Sequence, residues 1–289
     1  MQEVYRWESP LQVRMLGGFS ISYKGESVKV GRMDRAVPMY QRFMLLLWLR
    51  GEQGATTDEV KRYIFGDKNL KNPRNSINNL HLQANSALSR AGLPEVHYFC
   101  RVGKSFQACR EVPVELDVTR FRDLIARARA GGADGTSSWG EAVRCYTGPL
   151  LPDLSYEEWV QEESAELAGM YREACERTAG QELIAGNVQK AESVYVRAYR
   201  TEPDGSWETR RIELLLRQGR DREAIEMYDR AVQRYMRNMR SIRAGRIFES
   251  AADVNQRLLT FIQDTEDVFL QIEAERSRGI GDAGQPQAM

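Results

Sequence analysis

The hydrophobic pattern changes its period once along the chain, and this change limits the folds that the chain can adopt. In residues 11–30, LQVRMLGGFSISYKGESVKV, apolar side chains occupy every second position between two glycine-containing breaks. From Asp117 onward the apolar residues follow a helical spacing almost throughout. A period of two is typical of strands and a period of 3.6 is typical of helices. The sequence therefore predicts an α+β module followed by an all-α module.

The first module is predicted to contain strands, three helices and a hairpin, in that order. Residues 11–30 read as three short antiparallel strands, because Gly17-Gly18 and Lys24-Gly25 interrupt them. Thr57 is a candidate N-cap for the second helix, and Gly66 ends that helix. The remaining segments are three helices at 37–51, 55–67 and 72–92 and a β-hairpin at 95–116 whose turn is Gly103-Lys104.

The third helix, NPRNSINNLHLQANSALSRAG, has no charged residue between Arg74 and Arg90. At 100° per residue, the side chains that share the side of Ile77 predict the packed face. This packed face consists of Ile77, Leu80, His81, Ala84 and Leu88. The opposite side carries Asn75, Asn79, Leu82 and Ser86, flanked by Asn78, Gln83 and Arg90. An uncharged surface rich in amides is therefore expected to face outward.

Amide side chains and flanking cations together suggest a nucleic-acid interface. Asn and Gln pair with adenine N6 and N7 in the major groove, so the candidate base contacts are Asn75, Asn78, Asn79 and Gln83. Cations before the helix and on the hairpin turn suit phosphates. The candidate phosphate contacts are Lys68, Lys71, Arg74, Arg101 and Lys104. The alternative is a helix whose amide face is only solvated.

The charge distribution supports this division of roles. The net charge of the whole chain is zero. Residues 1–112 hold 17 Lys and Arg against 10 Asp and Glu, whereas the remaining residues hold 24 against 31. The first part therefore carries +7 and the rest −7. Such asymmetry favours a polyanion-binding module joined to a module that does not bind polyanions.

The helical part contains two similar stretches. AGNVQKAESVYVRAY, from Ala185, aligns with QGRDREAIEMYDRAV, from Gln218, at an offset of 33 residues. Ala191 and Ala224 correspond, and so do Tyr195 and Tyr228. The offset is close to the tetratricopeptide period of about 34 residues. This pattern predicts two helix pairs stacked as a short solenoid, and the alternative is a coincidence between two amphipathic helices.

The order of these segments resembles that of the antibiotic regulatory protein (SARP) family of bacterial transcriptional regulators. The matching segments are the strands of 11–30, the helices in YQRFMLLLWLRGEQGATTDEVKRYIFGD, the third helix, the wing VGKSFQ, and then ELDVTRFRDLIARA and YTGPLLPDLSYEEWVQEE. The resemblance implies a winged helix-turn-helix domain at 1–112 and a bacterial transcriptional activator domain with tetratricopeptide-like repeats at 113–250. A C-terminal helix and a disordered tail are expected at 251–289. Members of the family usually carry several arginines in the second half of the third helix, where this chain has Leu82 to Ser86.

The resemblance implies a regulator that inserts its third helix into the major groove of double-stranded DNA. The helical domain would serve dimerisation, contact with RNA polymerase or response to a signal, and a homodimer is expected. A hypothesis of another class is a scaffold whose winged helix no longer binds DNA and whose repeat groove binds a peptide.

Other chemistries find little support in the sequence. The tripeptide Gly103-Lys104-Ser105 lacks the glycine that a phosphate-binding loop needs at position 98, which is Tyr98. His97, Cys100 and Cys109 have irregular spacing for a metal site. The chain has no apolar run of about 20 residues, which would span a bilayer, and its N-terminus shows no signal peptide. We therefore expect no enzyme activity, no cofactor, no metal, no membrane contact and a cytoplasmic location with reduced cysteines.

Overall fold

The structure is a computed structural model, which describes residues 5–31, 37–66, 68, 71–203, 205–245 and 249–282. The contacts between Cα atoms divide the chain into two compact units, residues 1–174 and 175–289. The predicted boundary between residues 112 and 113 falls inside the first unit and remains a prediction.

The first sheet has four strands in the order β3-β2-β1-β7. These strands are β1 (Leu11–Arg14), β2 (Ser20–Tyr23), β3 (Glu26–Val28) and β7 (Val114–Leu116). The three predicted antiparallel strands are confirmed, with Val13 opposite Ile21 and Ile21 opposite Val28. The fourth strand, β7, pairs in parallel with β1. The sequence pattern instead places these three residues in the hairpin, because so short a strand has no pattern of its own.

Three helices and a second sheet complete the winged helix. The helices are α1 (Met39–Arg50), α2 (Thr57–Val60), which continues as a π-helical turn over Lys61–Phe65, and α3 (Pro73–Arg90). The second sheet has the order β4-β6-β5 and consists of β4 (Ala55–Thr56), β5 (Phe99–Val102) and β6 (Ser105–Ala108). The predicted hairpin is therefore confirmed as β5 and β6.

The cap of α2 is Thr56, so the prediction of Thr57 as the cap was wrong by one residue. The Thr56 hydroxyl accepts a hydrogen bond from the backbone N–H of Glu59 at 3.2 Å, and the Glu59 carboxylate accepts one from the backbone N–H of Thr56 at 2.8 Å. This is a capping box, in which each residue satisfies a free donor of the other. Thr57 instead donates through its backbone N–H and its hydroxyl to the carbonyl of Lys104.

The core of the winged helix is built on the apolar run of α1. Phe43 to Trp48 are all buried. The ring of Phe43 lies 6.4 Å from that of Phe99 and 5.7 Å from that of Phe106, so α1 packs directly on the β5–β6 hairpin. Edge-to-face ring pairs of this kind add about 0.5–1.5 kcal/mol to the burial energy.

The N-terminal sheet connects directly to the helices that follow it. The carboxylate of Asp117, the first residue after β7, accepts hydrogen bonds from the backbone N–H groups of Met15, Leu16 and Val118 at 2.8–3.0 Å. Burial raises the pKa of this carboxyl despite these bonds. Gly17 approaches the next loop so closely that a Cβ atom there would lie 2.9 Å from the carbonyl oxygen of Thr147. The sheet therefore packs on backbone that follows it by more than a hundred residues.

From Asp117 onward the described chain is mostly α-helical. Its helices are α4 (Asp117–Ala130), α5 (Ala133–Cys145), α6 (Glu158–Ile184), α7 (Val188–Thr201), α8 (Gly205–Arg217), α9 (Asp221–Arg243) and α10 (Ala251–Asp282). Within the described parts of the chain, no helix is long and apolar enough to cross a membrane.

The second unit contains the predicted helical repeat. Ala191 of α7 and Ala224 of α9 are both fully buried, as close helix packing requires. Tyr195 is 8% exposed, and the ring of Tyr228 stacks on Phe261 of α10 at 5.8 Å. The predicted fold class, an α+β winged helix followed by an all-α repeat, is therefore confirmed.

Candidate nucleic-acid interface

The helix α3 begins at a well-formed cap and presents two different faces. The side-chain oxygen of Asn72 accepts a hydrogen bond from the backbone N–H of Asn75 at 3.1 Å, and Pro73 occupies the first helical position. Asn is a favoured capping residue and Pro suits the first turn. The helix therefore starts where the sequence predicts.

The inner face of α3 packs as predicted. Ile77, Leu80, Ala84 and Leu88 are at most 4% exposed. The Nε2 atom of His81 lies 2.8 Å from the carbonyl oxygen of Phe99, and its ring lies 5.5 Å from that of Phe106. His81 is therefore a packing residue that joins α3 to the hairpin.

The four predicted base-contact residues lie on the outer face or at its edge. Asn75, Asn79 and Gln83 are exposed, and Asn78 is half-buried. None of the four side chains makes a hydrogen bond within the ranges that the structure describes. Leu82 lies among them with 61% of its surface exposed. This face therefore offers amide donors and acceptors, together with an apolar side chain, to a ligand.

One asparagine of α3 has a role that the sequence did not reveal. Asn85 is only 9% exposed. Its side-chain oxygen accepts from the backbone N–H groups of Tyr98 (2.7 Å) and Phe99 (3.0 Å), and its amide nitrogen donates to the carbonyls of Phe99 (3.2 Å) and His81 (3.1 Å). Asn85 thus holds the start of β5 against α3. Asn85 lies about 80° from Ile77 around the helix, next to the packed face, and this position was the only indication in the sequence that its side chain is buried.

The hairpin that forms the wing carries two of the predicted phosphate contacts. Gly103 has a φ of +62°, a conformation that glycine adopts readily at a tight turn. Lys104, beside it, is exposed, and its carbonyl is held by Thr57 at the start of α2. The guanidinium of Arg101 lies 5.7 Å from the centre of the Phe106 ring, which also contacts His81 of α3. The Phe106 ring thereby connects Arg101 to α3.

The other three cations lie at the start of α3. Lys68, Lys71 and Arg74 are exposed. Within the described residues, neither they nor the two wing cations form an ion pair, although Lys68 Nζ lies 3.8 Å from the Met39 sulfur. Other cations of this unit are paired, for example Arg110 with Glu52 and Lys24 with Glu8. Among the residues that the structure describes, the predicted phosphate contacts are therefore cations without carboxylate partners.

The cysteines near the wing do not form a metal site in the described structure. All four cysteines are free thiols. Burial, followed by a hydrogen bond with Cys100, raises the pKa of Cys109 to about 12. Among the residues that are described, no group of three or more His, Cys, Asp and Glu side chains is placed to hold a metal ion.

Comparisons with known proteins agree with this architecture. Residues 116–249 match the family model of the bacterial transcriptional activator domain (BTAD). The fold is similar to that of Mycobacterium tuberculosis EmbR, solved in complex with a low affinity phosphopeptide, with a TM-score of 0.58 and 16% sequence identity. That match covers 94% of this chain and 72% of the EmbR chain. No curated protein matches the chain significantly in sequence.

The family match identifies the helical region, and the structural match supports the whole arrangement. Residues 116–249 are similar to the bacterial transcriptional activator domain, and a winged helix precedes them. The SARP-type arrangement that the sequence indicates is therefore confirmed. The likeness to EmbR, at this level of identity, is a likeness of fold alone.

Proposed function

We propose that this protein is a sequence-specific DNA-binding regulator of transcription that inserts α3 into the major groove. The observation that carries the proposal is the outer face of α3, an exposed amide surface bordered by cations that have no carboxylate partner among the described residues. A helix fits the major groove, where the pattern of donors and acceptors distinguishes all four base pairs. The match of residues 116–249 to the family model of the bacterial transcriptional activator domain supports a role in transcription.

In this proposal the amides of α3 bind bases. Asn75, Asn79 and Gln83 are exposed, and Asn78 lies half-buried at the edge of the same face. An Asn or Gln that binds adenine N6 and N7 together contributes about 1–3 kcal/mol of discrimination. Adenine-containing positions are therefore expected in the operator.

The five cations of the interface bind phosphates in this proposal. Lys68, Lys71 and Arg74 would bind the backbone beside the start of α3, and Arg101 and Lys104 would bind it from the wing. Because the second half of α3 contains no cation before Arg90, one winged helix neutralises few phosphates. Affinity for DNA depends strongly on phosphate neutralisation. We therefore propose that the protein binds as a homodimer, in which two winged helices share one operator.

The salt dependence of binding tests the assignment of the phosphate-binding cations. In the variant Arg74→Ala/Lys104→Ala, the slope of log K against log salt concentration should fall by about 0.9 for each phosphate that is no longer neutralised. The matched control is Lys24→Ala/Arg110→Ala, which removes the same charge from two residues that are paired with Glu8 and Glu52. An equal effect of both variants would contradict the assignment.

A second experiment, the selection of bound fragments from random duplex DNA, would identify the operator sequence.

We propose that the helical domain regulates transcription and does not recognise the base sequence of DNA. Its family suggests activation, and contact with RNA polymerase, oligomerisation and response to a signal are the roles that such a domain can serve. We propose no catalytic step and no cofactor. The protein would act in the cytoplasm, where bacterial DNA lies.

A second candidate function is peptide binding by the helical repeat. One observation favours it, a groove of about 630 Å³ in the second unit, partly lined by Gln256, Thr260 and Asp264 along α10 and by Asn238 of α9. Amide, hydroxyl and carboxylate side chains can form hydrogen bonds with the backbone of an extended peptide, and EmbR was solved in complex with a low affinity phosphopeptide. If the protein passes through a heparin column at low salt and Gln256→Ala/Asp264→Ala abolishes capture of peptides, this second function replaces the first.

A further inference from the structure

From Arg230 to its end, α9 carries a row of arginines, which we call the α9 stripe. Its members Arg230, Arg237, Arg240 and Arg243 are all exposed. At 1.5 Å per residue the row extends about 20 Å, and at 100° per residue its members lie within about 140° of one another around the helix. The stripe therefore places four cations on one broad side of α9, in a part of the chain whose net charge is negative.

The stripe differs from many other arginines of the second unit. Several of these have carboxylate partners, as in Arg217–Glu213, Arg220–Glu223, Arg222–Glu226 and Arg276–Asp221. No stripe arginine forms an ion pair with any residue that the structure describes. Arg230 donates to the backbone carbonyl of Glu226, which leaves its charge uncompensated.

A neighbour of the stripe shows how an arginine of α9 behaves when it has a structural role. Arg234 lies on the inner side of the helix, where both of its terminal nitrogens donate to the carboxylate of Glu208. Its guanidinium lies 5.3 Å from the ring centres of both Tyr199 and Tyr235. Among the described residues, the stripe arginines have no such ion pairs, and they lie on the exposed side.

Helix energetics alone does not explain the stripe. Cations are favoured in the last turn of a helix, which accounts for Arg240 and Arg243 but not for Arg230 and Arg237. Arg237 and Arg240 are three residues apart, as are Arg240 and Arg243. Like charges at this spacing destabilise a helix by about 0.2–0.5 kcal/mol per pair. An anionic partner would remove this repulsion.

We propose that the α9 stripe binds the phosphate backbone of nucleic acid. The stripe is a second binding surface besides the winged helix. This proposal rests on the proposed function only because it takes DNA as the polyanion. A surface about 20 Å long faces about six phosphates of one DNA strand. Double-stranded DNA therefore offers enough anions for every guanidinium. Because α3 has no charged residue between Arg74 and Arg90, α3 neutralises few phosphates, and a second phosphate-binding surface would supply the missing positive charge.

The experiment measures binding of the full chain to a long duplex of random sequence at several salt concentrations. In Arg237→Gln/Arg240→Gln/Arg243→Gln, the salt slope should fall by about 2.7, which is about 0.9 for each of three phosphates. The control Arg217→Gln/Arg220→Gln/Arg222→Gln removes the same charge from arginines that are paired with glutamates and should keep the wild-type slope. An unchanged slope in the stripe variant would overturn the proposal.

Two further variants keep the proposal separate from folding defects and from the proposed function. If the triple variant is unfolded by circular dichroism, Arg237→Gln alone should lower the slope by about 0.9, and an unchanged slope overturns the proposal. The winged-helix variant Lys71→Gln/Lys104→Gln, which removes one cation before α3 and one from the wing, tests the winged helix independently. If the slope falls in the winged-helix variant only, DNA binding by the winged helix stands and the stripe proposal fails. If it falls in the stripe variant only, the stripe binds DNA and the proposed function fails.

The last measurement is the binding of a labelled phosphothreonine peptide to the wild type and to the stripe variant, because arginine clusters also bind phosphorylated segments. If the stripe variant loses peptide binding while its DNA slope is unchanged, the stripe is a peptide site and our proposal is overturned. Retained peptide binding together with a lowered DNA slope supports it.

Discussion

The inner and outer faces of α3 contain the same type of residue in opposite situations. Asn85 lies on the inner side, where it makes four hydrogen bonds to the backbone around β5 and α3. Asn79, six residues earlier, is exposed, and its side chain has no hydrogen-bond partner among the described residues. The amides have the same chemistry, so the surroundings alone decide that one holds the fold and the other is available to a ligand. Composition therefore says little about which amide of an Asn-rich helix is available to a ligand.

The largest expected effect comes from the inner asparagine. Asn85→Ala leaves the buried backbone N–H groups of Tyr98 and Phe99 without their acceptor, and each unpaired buried group costs about 1–3 kcal/mol. We expect the free energy of unfolding, measured by denaturant titration, to fall by roughly 2–4 kcal/mol. The matched control Asn79→Ala should change stability by less than about 0.5 kcal/mol. Equal stabilities for the two variants would remove the distinction between the faces.

The outer asparagine should show the reverse behaviour in DNA binding. Asn79→Ala should lower the discrimination at one base pair of the operator by about 1–3 kcal/mol, because a paired amide interaction is removed. The measurement is the affinity for the selected operator and for its single-base variants. Arg74→Ala is the contrasting control, since removing a phosphate-binding cation weakens binding to all sequences alike. Uniform weakening by Asn79→Ala would show that this residue does not read a base.

Leu82 gives a smaller effect on the same face. Its side chain is 61% exposed, so Leu82→Ser should leave the free energy of unfolding nearly unchanged. In the major groove an apolar side chain packs against the thymine methyl group. Removing roughly one buried methyl group should reduce the preference for thymine by about 0.8 kcal/mol. Binding to an operator with uracil in place of thymine distinguishes this interaction, since the variant and the wild type should then bind alike.

The smallest effect concerns the capping box of Thr56 and Glu59 at the start of α2, next to the wing. Hydrogen bonds from Thr56 lower the pKa of Glu59 below its ordinary value of 4.5. A carboxyl whose pKa is lower in the folded state stabilises the fold above the unfolded pKa, and this contribution is lost as the pH falls through the folded pKa. Glu59→Ala should therefore cost about 0.5 kcal/mol at pH 7 and less at acidic pH. Denaturant titrations at both pH values check this, and a difference that grows on acidification would contradict it.

Much of the architecture follows from the sequence because local patterns specify it. Alternation over 11–30, the Asn72-Pro73 helix start and the 33-residue repeat each determine an element by backbone geometry and hydrophobic burial. The packed face of α3 was also predictable, since helical periodicity places its apolar side chains on one side. The choice of Thr57 as a cap was wrong because two adjacent threonines are equivalent in sequence, and only the bonds of Thr56 with Glu59 separate them.

Sequence by itself thus determined the order of the elements and the outward direction of Asn75, Asn79 and Gln83, because both depend on interactions between residues close in the chain. Tertiary structure alone decided that β7 pairs with β1, that Asn85 binds the backbone of Tyr98 and Phe99, and that the α9 stripe has no carboxylate partners among the described residues. These features depend on which distant groups meet. A hydrogen bond or an ion pair acts over a few ångströms, and no periodic pattern records the distances that folding creates between remote residues.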